Sequence, residues 1–240
     1  MGKPKGEPRA AWADPESPED KRKRALKVLR RLDRLYPDAH TALDFRSPLE
    51  LLIATVLSAQ STDKKVNEIT PALFAKYRGP QGYLASRPGE LEEDIHQSGF
   101  FNQKAKAIRG ICRMLIEEFG GEVPRTMEEL VRLPGVARKT ANVVLGNAFG
   151  VNVGIAVDTH VHRLSWRLAF SDHHDPNKVE QDLMRVFPRS KWFKVSHLLI
   201  EHGRAICFAR APRCTECSVS ELCPASRAPT ASSGTRATRA

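Results

Sequence analysis

Apolar residues recur along this chain with the period of α-helices. Leucines stand at every third position from Leu26 to Leu35, and a second apolar stripe follows the helical period between Gln103 and Phe119. The second stripe makes Cys112 a core residue and places Gly120 where a helix ends. Few segments alternate apolar and polar residues as β-strands do. The pattern therefore predicts an all-α fold.

Helix starts are marked by hydroxyl and acidic residues that can cap a first turn. In several cases a proline follows the cap, or a glutamate completes a capping box three residues later. The predicted helices begin after Ser17, Ser47, Thr62, Thr126, Asp158, Asp175 and Ser190. Pro71 lies inside the third of these helices, and we expect it to kink or shorten that helix.

The two ends of the chain differ in composition from its middle. Residues 1–16 are rich in glycine, proline and charge, and residues 224–240 are rich in proline, alanine, serine and threonine. Such segments bury too little apolar surface to offset chain entropy, so both are expected to be disordered. The longest uncharged stretch, residues 140–157, is interrupted by asparagine and glycine, which argues against a membrane helix. With no secretion or transit signal visible, we expect a cytoplasmic protein.

The charge balance narrows the choice of partner. The chain is 41 % apolar, enough for a folded core, and it carries 38 Lys and Arg residues against 28 Asp and Glu, a net charge of +10. Residues 1–24 and 224–240 together hold +5 of this, so the other half lies on the part expected to fold. A basic folded surface favours a polyanionic partner such as nucleic acid.

Four of the five cysteines lie within seventeen residues, in the pattern C-x6-C-x2-C-x5-C. A disulfide framework is disfavoured without a secretion signal, and a zinc site would more often have two C-x2-C pairs. Four thiolates with unequal loops suit a 4Fe-4S cluster, which we favour over zinc. The ligand set is Cys207, Cys214, Cys217 and Cys223. Arg210 and Arg213, in the first loop, would then be held as phosphate contacts or would merely solvate the loop.

A second signal is the tight turn Leu133–Ala141 between two predicted helices. Outward backbone N–H groups at Gly135, Ala137 and Arg138 can bind a phosphate of DNA without reading its sequence, although an ordinary helical corner has the same pattern. Lys139 follows in the first helical turn, where the helix dipole and the neighbouring arginine disfavour an ammonium ion. A free lysine amine can attack carbon and form a Schiff base, but Lys139 can also be a simple phosphate contact.

Asp158 is a further candidate, because it follows the apolar run Val153–Val157. A role as the cap of the next helix would by itself account for this side chain. A carboxylate at the edge of a site can also accept a proton or stabilise the oxocarbenium-like charge of glycosidic cleavage.

These motifs together resemble the endonuclease III family of DNA glycosylases, within the helix-hairpin-helix superfamily. The resemblance rests on Leu133–Val144, on Val157–His160, on the four-cysteine segment and on Leu57–Asp63, and it spans Ser17 to Cys223. It implies a monomeric bacterial enzyme of the nucleoid that binds damaged double-stranded DNA, excises oxidised pyrimidines and cuts the strand by β-elimination. It also implies an iron-sulfur subdomain of residues 17–40 and 141–223, and a helical-barrel subdomain of residues 41–140 that contains the hairpin.

The resemblance also implies roles for individual residues. Lys139 matches the nucleophile, Asp158 matches the assisting carboxylate, and the four cysteines match the 4Fe-4S ligands. Gln60 matches a residue that enters the duplex, and Phe100 stands where the family often has a leucine wedge. Without the family, Gln60 would cap a helix end and Phe100 would pack in the core.

The sequence departs from the family pattern in two places. Ala137 replaces a glycine, and we predict that it adopts a negative φ and still presents its N–H group. The loop Gly150–Gly154 is about one residue longer than usual, which we expect it to absorb without moving Asp158. Two other functions stay open from the sequence. One is an adenine-excising relative, which looks to lack the lysine, and the other is a non-catalytic iron-sulfur DNA-binding module.

Overall fold

A computed structural model describes residues 15–227. In this range the chain forms eleven α-helices and no β-strand, so the prediction of an all-α fold is confirmed. The helices are α1 (Pro18–Leu35), α2 (Pro48–Leu57), α3 (Asp63–Lys76), α4 (Gly79–Leu84), α5 (Glu90–Asp94), α6 (Phe101–Phe119), α7 (Met127–Leu130), α8 (Arg138–Phe149), α9 (Thr159–Arg167), α10 (Pro176–Val186) and α11 (Trp192–Ala205). None of the helices described has the length and apolar character needed to cross a bilayer.

The described chain divides into two compact units. The first consists of residues 15–39 and 157–227, and the second of residues 40–156. We expected the return to the first unit after residue 140, but it comes after Ala156. The reason is that α8 packs against α2 and α7, which are both helices of the second unit.

The first unit contains α1, α9, α10, α11 and the cysteine segment. Helix α1 packs on α10 and α11, and α9 packs on the same two helices. The side chains that meet between these helices are nearly inaccessible, and they include Val28, Leu32, Val161, Leu164, Val179, Leu183, Val195 and Leu198. Since the cysteine segment follows α11 directly, these packed helices determine where it begins.

The second unit is built around α2, whose residues from Leu51 to Leu57 are all buried. Helices α3, α6 and α8 pack against it, and α4 and α5 cover α6. One continuous apolar core results, and Cys112 lies in it with no exposed surface, as predicted.

The predicted caps are present. The side chains of Ser17, Ser47, Thr62 and Thr126 each accept a backbone N–H from the third residue of the helix that follows. Asp158 caps α9 by accepting from its second and third residues, and Asp175 caps α10 by accepting from its second residue. Gly120 ends α6 in the left-handed conformation, with φ +61°. Helix α11 starts one residue later than expected, because a 3₁₀ turn over Arg189–Lys191 precedes it.

One expectation about a helix fails. Pro71 does not shorten α3, which continues to Lys76, because Leu73 is buried and holds the last turn against the core. The expectation of disordered tails stays a prediction, since residues 1–14 and 228–240 lie outside the described range, and hydrogen bonds are seen at two of the residues that border them. Glu16 accepts two hydrogen bonds from Arg24, and the N–H of Ala225 donates to the carbonyl of Arg167.

Candidate active site

The turn between α7 and α8 packs directly on α6. Gly135 has φ +77°, and a Cβ atom there would lie 3.3 Å from the Cβ of Ala107. On the facing side, a Cβ at Gly110 would lie 3.1 Å from Cγ of Pro134. Both glycines are therefore needed for this close approach. Buried apolar residues on either side of the turn pack in the core, whereas Pro134 and Gly135 at its tip are exposed.

Ala137 is the N-cap residue of α8 and has φ −89°, so the prediction of a negative φ is confirmed. Its methyl group is exposed, and no side chain caps the helix. The first N–H groups of α8 therefore lack the side-chain acceptor that Thr126 supplies to α7. A helix end of this kind can take an anion as its acceptor.

Lys139 is the second residue of α8 and is exposed. The first turn of α8 contains no acidic residue, and within the described part of the second unit Lys139 forms no ion pair. Its amine therefore stands in solvent beside the uncapped helix end, where the helix dipole opposes a positive charge.

Asp158 lies in the first unit and is half-buried. One oxygen, Oδ1, accepts the N–H groups of His160 and Val161, each at 2.8 Å. This confirms Asp158 as the cap of α9. Because a carboxylate has two oxygens, the cap leaves Oδ2 for a second interaction.

Helix α9 is tied to the cysteine segment by two arginines. Arg163 donates to the carbonyls of Cys207 at 3.1 Å and Gly203 at 3.0 Å, and it lies 3.0 Å from Nδ1 of His160. Since a guanidinium only donates, Nδ1 must accept, and the imidazole proton is then on Nε2. Burial lowers the pKa of His160, which keeps the ring neutral. One arginine therefore links the turn after Asp158 to the first cysteine.

Arg167 makes the second link. It donates to Sγ of Cys207 at 3.1 Å and to the next two carbonyls, of Phe208 at 2.7 Å and of Ala209 at 2.8 Å. On the other side of the cysteine segment, Nε2 of His202 lies 3.2 Å from Sγ of Cys217. Burial raises the pKa of the Cys223 thiol to about 11. Without a cation the Cys223 thiol is therefore protonated at neutral pH.

The four cysteine side chains of the segment lie near one another. Besides burial, negative charge on Cys207, Cys214 or Cys217 raises the pKa of Cys223, so all three are within electrostatic range of its thiol. Four neighbouring thiols are the ligand set that a 4Fe-4S cluster requires.

Helix α1 also anchors the cysteine segment. Arg24 donates to the carbonyl of Leu222 at 3.1 Å and to that of Leu168 at 2.7 Å, and Arg31 donates to the carbonyl of Ser218 at 3.0 Å. These arginines hold the segment against α1 and add to the short-range backbone hydrogen bonds that the segment makes by itself. They give the segment a fixed shape although it contains only two 3₁₀ turns.

Arg210 and Arg213 are both exposed on the loop between the first two cysteines. The guanidinium of Arg213 stacks over the ring of Phe208, with its Cζ atom 5.3 Å from the ring centroid. It also lies 3.8 Å from the carboxylate of Glu216. The phosphate-contact role of both arginines stays a prediction.

Gln60 and Phe100 lie in two loops of the second unit, and both have left-handed backbone, with φ +55° and +48°. Phe100 is 57 % exposed, which excludes the alternative that it packs in the core. Gln60 is also exposed and caps no helix, because Ser58 ends α2 and Thr62 begins α3. Two large exposed side chains on strained backbone are typical of a binding surface.

Comparison with known proteins identifies the family. Residues 53–189 match the HhH-GPD superfamily of base excision DNA repair proteins. The chain is 52 % identical over 208 residues to endonuclease III of Synechocystis sp., covering 87 % of this chain and 95 % of that protein. It is 44 % identical over 198 residues to endonuclease III of Escherichia coli K12, covering 82 % and 93 %. The chain belongs to the endonuclease III family.

Solved structures agree with this assignment. A trapped endonuclease III–DNA covalent intermediate is 47 % identical to this chain, with a TM-score of 0.81, and the match covers 85 % of this chain and 96 % of that one. A thermostable thymine-DNA glycosylase is 26 % identical with a TM-score of 0.75, and that match covers 88 % and 98 %. The resemblance inferred from the motifs is thus confirmed, and with it a DNA glycosylase of base excision repair.

Sequence reasoning missed several residues that organise this endonuclease III site. Arg163 and Arg167 gave no signal, because arginines at such spacing on a helix are usually solvent-exposed. Lys104 did leave a signal, since it interrupts the apolar stripe of α6 four residues before Ile108. A charged residue on a core-facing stripe is unusual, so the amino-acid pattern alone could have indicated a special role for it.

Proposed function

We propose that this protein is a bifunctional DNA glycosylase and abasic-site lyase that removes oxidised pyrimidines from double-stranded DNA. The observation that carries the proposal is Lys139, which stands exposed and without an ion pair in its own unit at the uncapped start of α8. That position offers a phosphate acceptor site and an amine at the same place. An exposed amine at this place can attack a carbon atom of a bound nucleotide, which a purely DNA-binding module does not require.

Lys139 acts as the nucleophile in this proposal. Its Nζ attacks C1′ of a nucleotide turned out of the duplex, the glycosidic bond breaks, and the base leaves with the bonding electrons and takes up a proton. The sugar ring opens to leave a Schiff base between Nζ and C1′. Loss of a proton from C2′ then expels the 3′ phosphate, which cuts the strand by β-elimination.

Asp158 assists both steps. Its carboxylate stabilises positive charge on the sugar while the base departs, and it accepts and returns protons during elimination. The hydrogen bonds from α9 hold the Oδ1 atom in place, so the carboxylate stays oriented. No free energy is spent on orienting the carboxylate during the reaction, because the helix cap has already fixed its position.

Cys207, Cys214, Cys217 and Cys223 hold a 4Fe-4S cluster in this proposal. The proximity of the four thiols and the unequal loops between them support a cluster. When bound, the cluster would cross-link four thiolates and so fix the shape of the segment. Its role is structural, since base excision and elimination transfer no electrons to the substrate.

DNA would be bound mainly through its backbone. The N–H groups around Gly135, Ala137 and Arg138 take one phosphate, and Arg210 and Arg213 take others. Gln60 and Phe100 fill the space that the extruded nucleotide leaves, which offsets part of the few kcal/mol that unstacking costs. We expect the protein to act as a monomer on duplex DNA.

Borohydride trapping on a duplex with one thymine glycol tests the proposal. The wild type should form a covalent protein–DNA adduct and Lys139→Gln should form none, whereas the exposed Lys178→Gln, a control in the other unit, should trap like the wild type. Asp158→Asn retains a capping side chain, so it should fold normally and lose most activity. Undiminished trapping by Lys139→Gln would refute the assignment of the nucleophile.

A further inference from the structure

The ammonium group of Lys104 is buried between two loops of the second unit. Lys104 is only 5 % exposed. Its Nζ donates to the carbonyl of Leu57 and to the carbonyl of Ser98, each at 2.7 Å. The first carbonyl belongs to the last residue of α2, and the second lies just before α6. One side chain therefore joins two segments that are about forty residues apart in sequence.

Each of these segments leads into one of the strained exposed residues. Gln60 follows Leu57 by three residues, and Phe100 follows Ser98 by two. Both have left-handed backbone, although neither is a glycine. Such conformations cost on the order of 1–3 kcal/mol each and persist only where the surroundings enforce them. Lys104 holds the base of both loops, and its own backbone N–H donates to the carbonyl of Phe100 at 3.1 Å.

A lysine is an expensive choice at this position. The other buried positions of α6 are apolar, and an apolar side chain would avoid the cost of burying a charge. Burial lowers the pKa of Lys104, whereas a nearby carboxylate would raise it. The cost of burying the charge is therefore not offset by an ion pair. What the ammonium does supply is two donors and a positive charge at the C-terminal end of α2, where the helix dipole favours a cation.

We propose that Lys104 is a positioning residue that fixes the spacing of the Gln60 loop and the Phe100 loop, so that both side chains enter the duplex together. This inference rests on the proposed function, because it assumes that the two side chains fill the space of an extruded nucleotide. Lys104 itself touches no DNA. It acts only through the two carbonyls that it holds.

The test compares two substrates that differ in whether a helix must be opened. Lys104→Met keeps a long side chain and removes both donors. Its excision of thymine glycol from duplex DNA should fall at least about tenfold, as expected for two lost buried hydrogen bonds. Cutting of a preformed abasic site in a single-stranded oligonucleotide needs no helix opening, so it should stay within about threefold of wild type. Lys178→Met, which removes an exposed lysine of the other unit, should change neither activity.

A double-mutant cycle shows whether the effect passes through the loops. If Lys104 acts by placing Gln60, the variant Gln60→Ala should lose much less duplex activity in the Lys104→Met background than in the wild type. Should Lys104→Met fail to fold, Lys104→Gln, which can still donate to one carbonyl, takes its place in both experiments. Full additivity, or an equal loss on the duplex and single-stranded substrates, would overturn the proposal.

These outcomes are distinct from failure of the proposed function. If the wild type gave no borohydride adduct on either substrate, the enzymatic assignment would fail and Lys104 would have no loops to position for catalysis. If the wild type traps on both substrates and Lys104→Met cuts the duplex normally, only the positioning role is lost.

Discussion

Gly203 offers a direct test of how tightly the helix behind Asp158 is held. It is a buried residue of α11 that faces the first turn of α9. A Cβ atom at this position would lie 2.8 Å from Nδ1 of His160 and 3.0 Å from the Cβ of that residue. Ordinary contact begins at 3.4 Å, so Gly203→Ala must move these atoms apart by about 0.6 Å. The His160 ring cannot simply turn away, because its own Cβ is also too close.

The expected cost follows from overpacking. An added methyl group in a packed interior destabilises by about 1–3 kcal/mol. For a protein of this size, that lowers the melting temperature by about 2–4 °C for each kcal/mol. The displacement also reaches Asp158, because His160 donates its N–H to the carboxylate. Since misplacement by about 1 Å can cost a hundredfold in rate, a shift of this size should lower kcat about tenfold.

Urea unfolding and single-turnover excision on a thymine-glycol duplex measure the two effects. Ala205→Ser, at an exposed position two residues later in the same helix, is the control and should change neither. If Gly203→Ala unfolds within about 0.5 kcal/mol of wild type, the steric argument is wrong. If it is destabilised but excises at the normal rate, α9 does not transmit the displacement to Asp158.

Single contacts elsewhere in the molecule give three more testable outcomes. Arg167→Met removes three donors from the Cys207 loop and should speed iron release to a chelator about tenfold, while the exposed Arg185→Met should not. Burial raises the pKa of Cys112 to about 12, so iodoacetamide should label it in urea and leave it unlabelled in the native protein at pH 8. Ala137→Gly should lower the free energy of unfolding by up to about 1 kcal/mol without tightening DNA binding, because φ there is already negative. Stabilisation by that glycine would contradict the backbone argument.

Much of the fold was predictable because its signals are local. A capping serine or threonine acts on N–H groups two or three residues away, so the starts of α1, α2, α3 and α7 were visible in the sequence. The short helices Gly79–Leu84 and Glu90–Asp94 were not, because one or two turns are too short to show a helical period. The prediction that Pro71 shortens α3 was wrong, because packing of the helix end overrides the local effect of a proline.

For the site, the sequence allowed the reacting and ligating residues to be predicted, but not the residues that support them. Lys139, Asp158 and the four cysteines stand in motifs with characteristic spacing, so their residue types could be chosen from sequence. The residues that hold the surrounding backbone in place could not be chosen in this way. Arg163 binds the carbonyl of Cys207 from forty-four residues away, and Lys104 reaches Leu57 from forty-seven. The partners in such contacts depend on the tertiary fold, so no local pattern encodes them, even at Lys104, where the pattern marks the residue itself as unusual.

The positions of these supports explain why a cluster without an electron-transfer role would matter for catalysis. Arg163 and Arg167 join α9 to the segment around Cys207, and α9 begins at Asp158. Without ligation the cysteine segment is held by its own short turns and by donors from arginines of α1 and α9, and burial raises the pKa of the Cys223 thiol. Loss of the cluster would therefore make the carbonyl groups that accept hydrogen bonds from α9 more mobile. The carboxylate at the start of α9 would then lose its orientation before the helices of the first unit unfold. A structural cluster placed far along the chain can in this way set the rate of a step in which it takes no part.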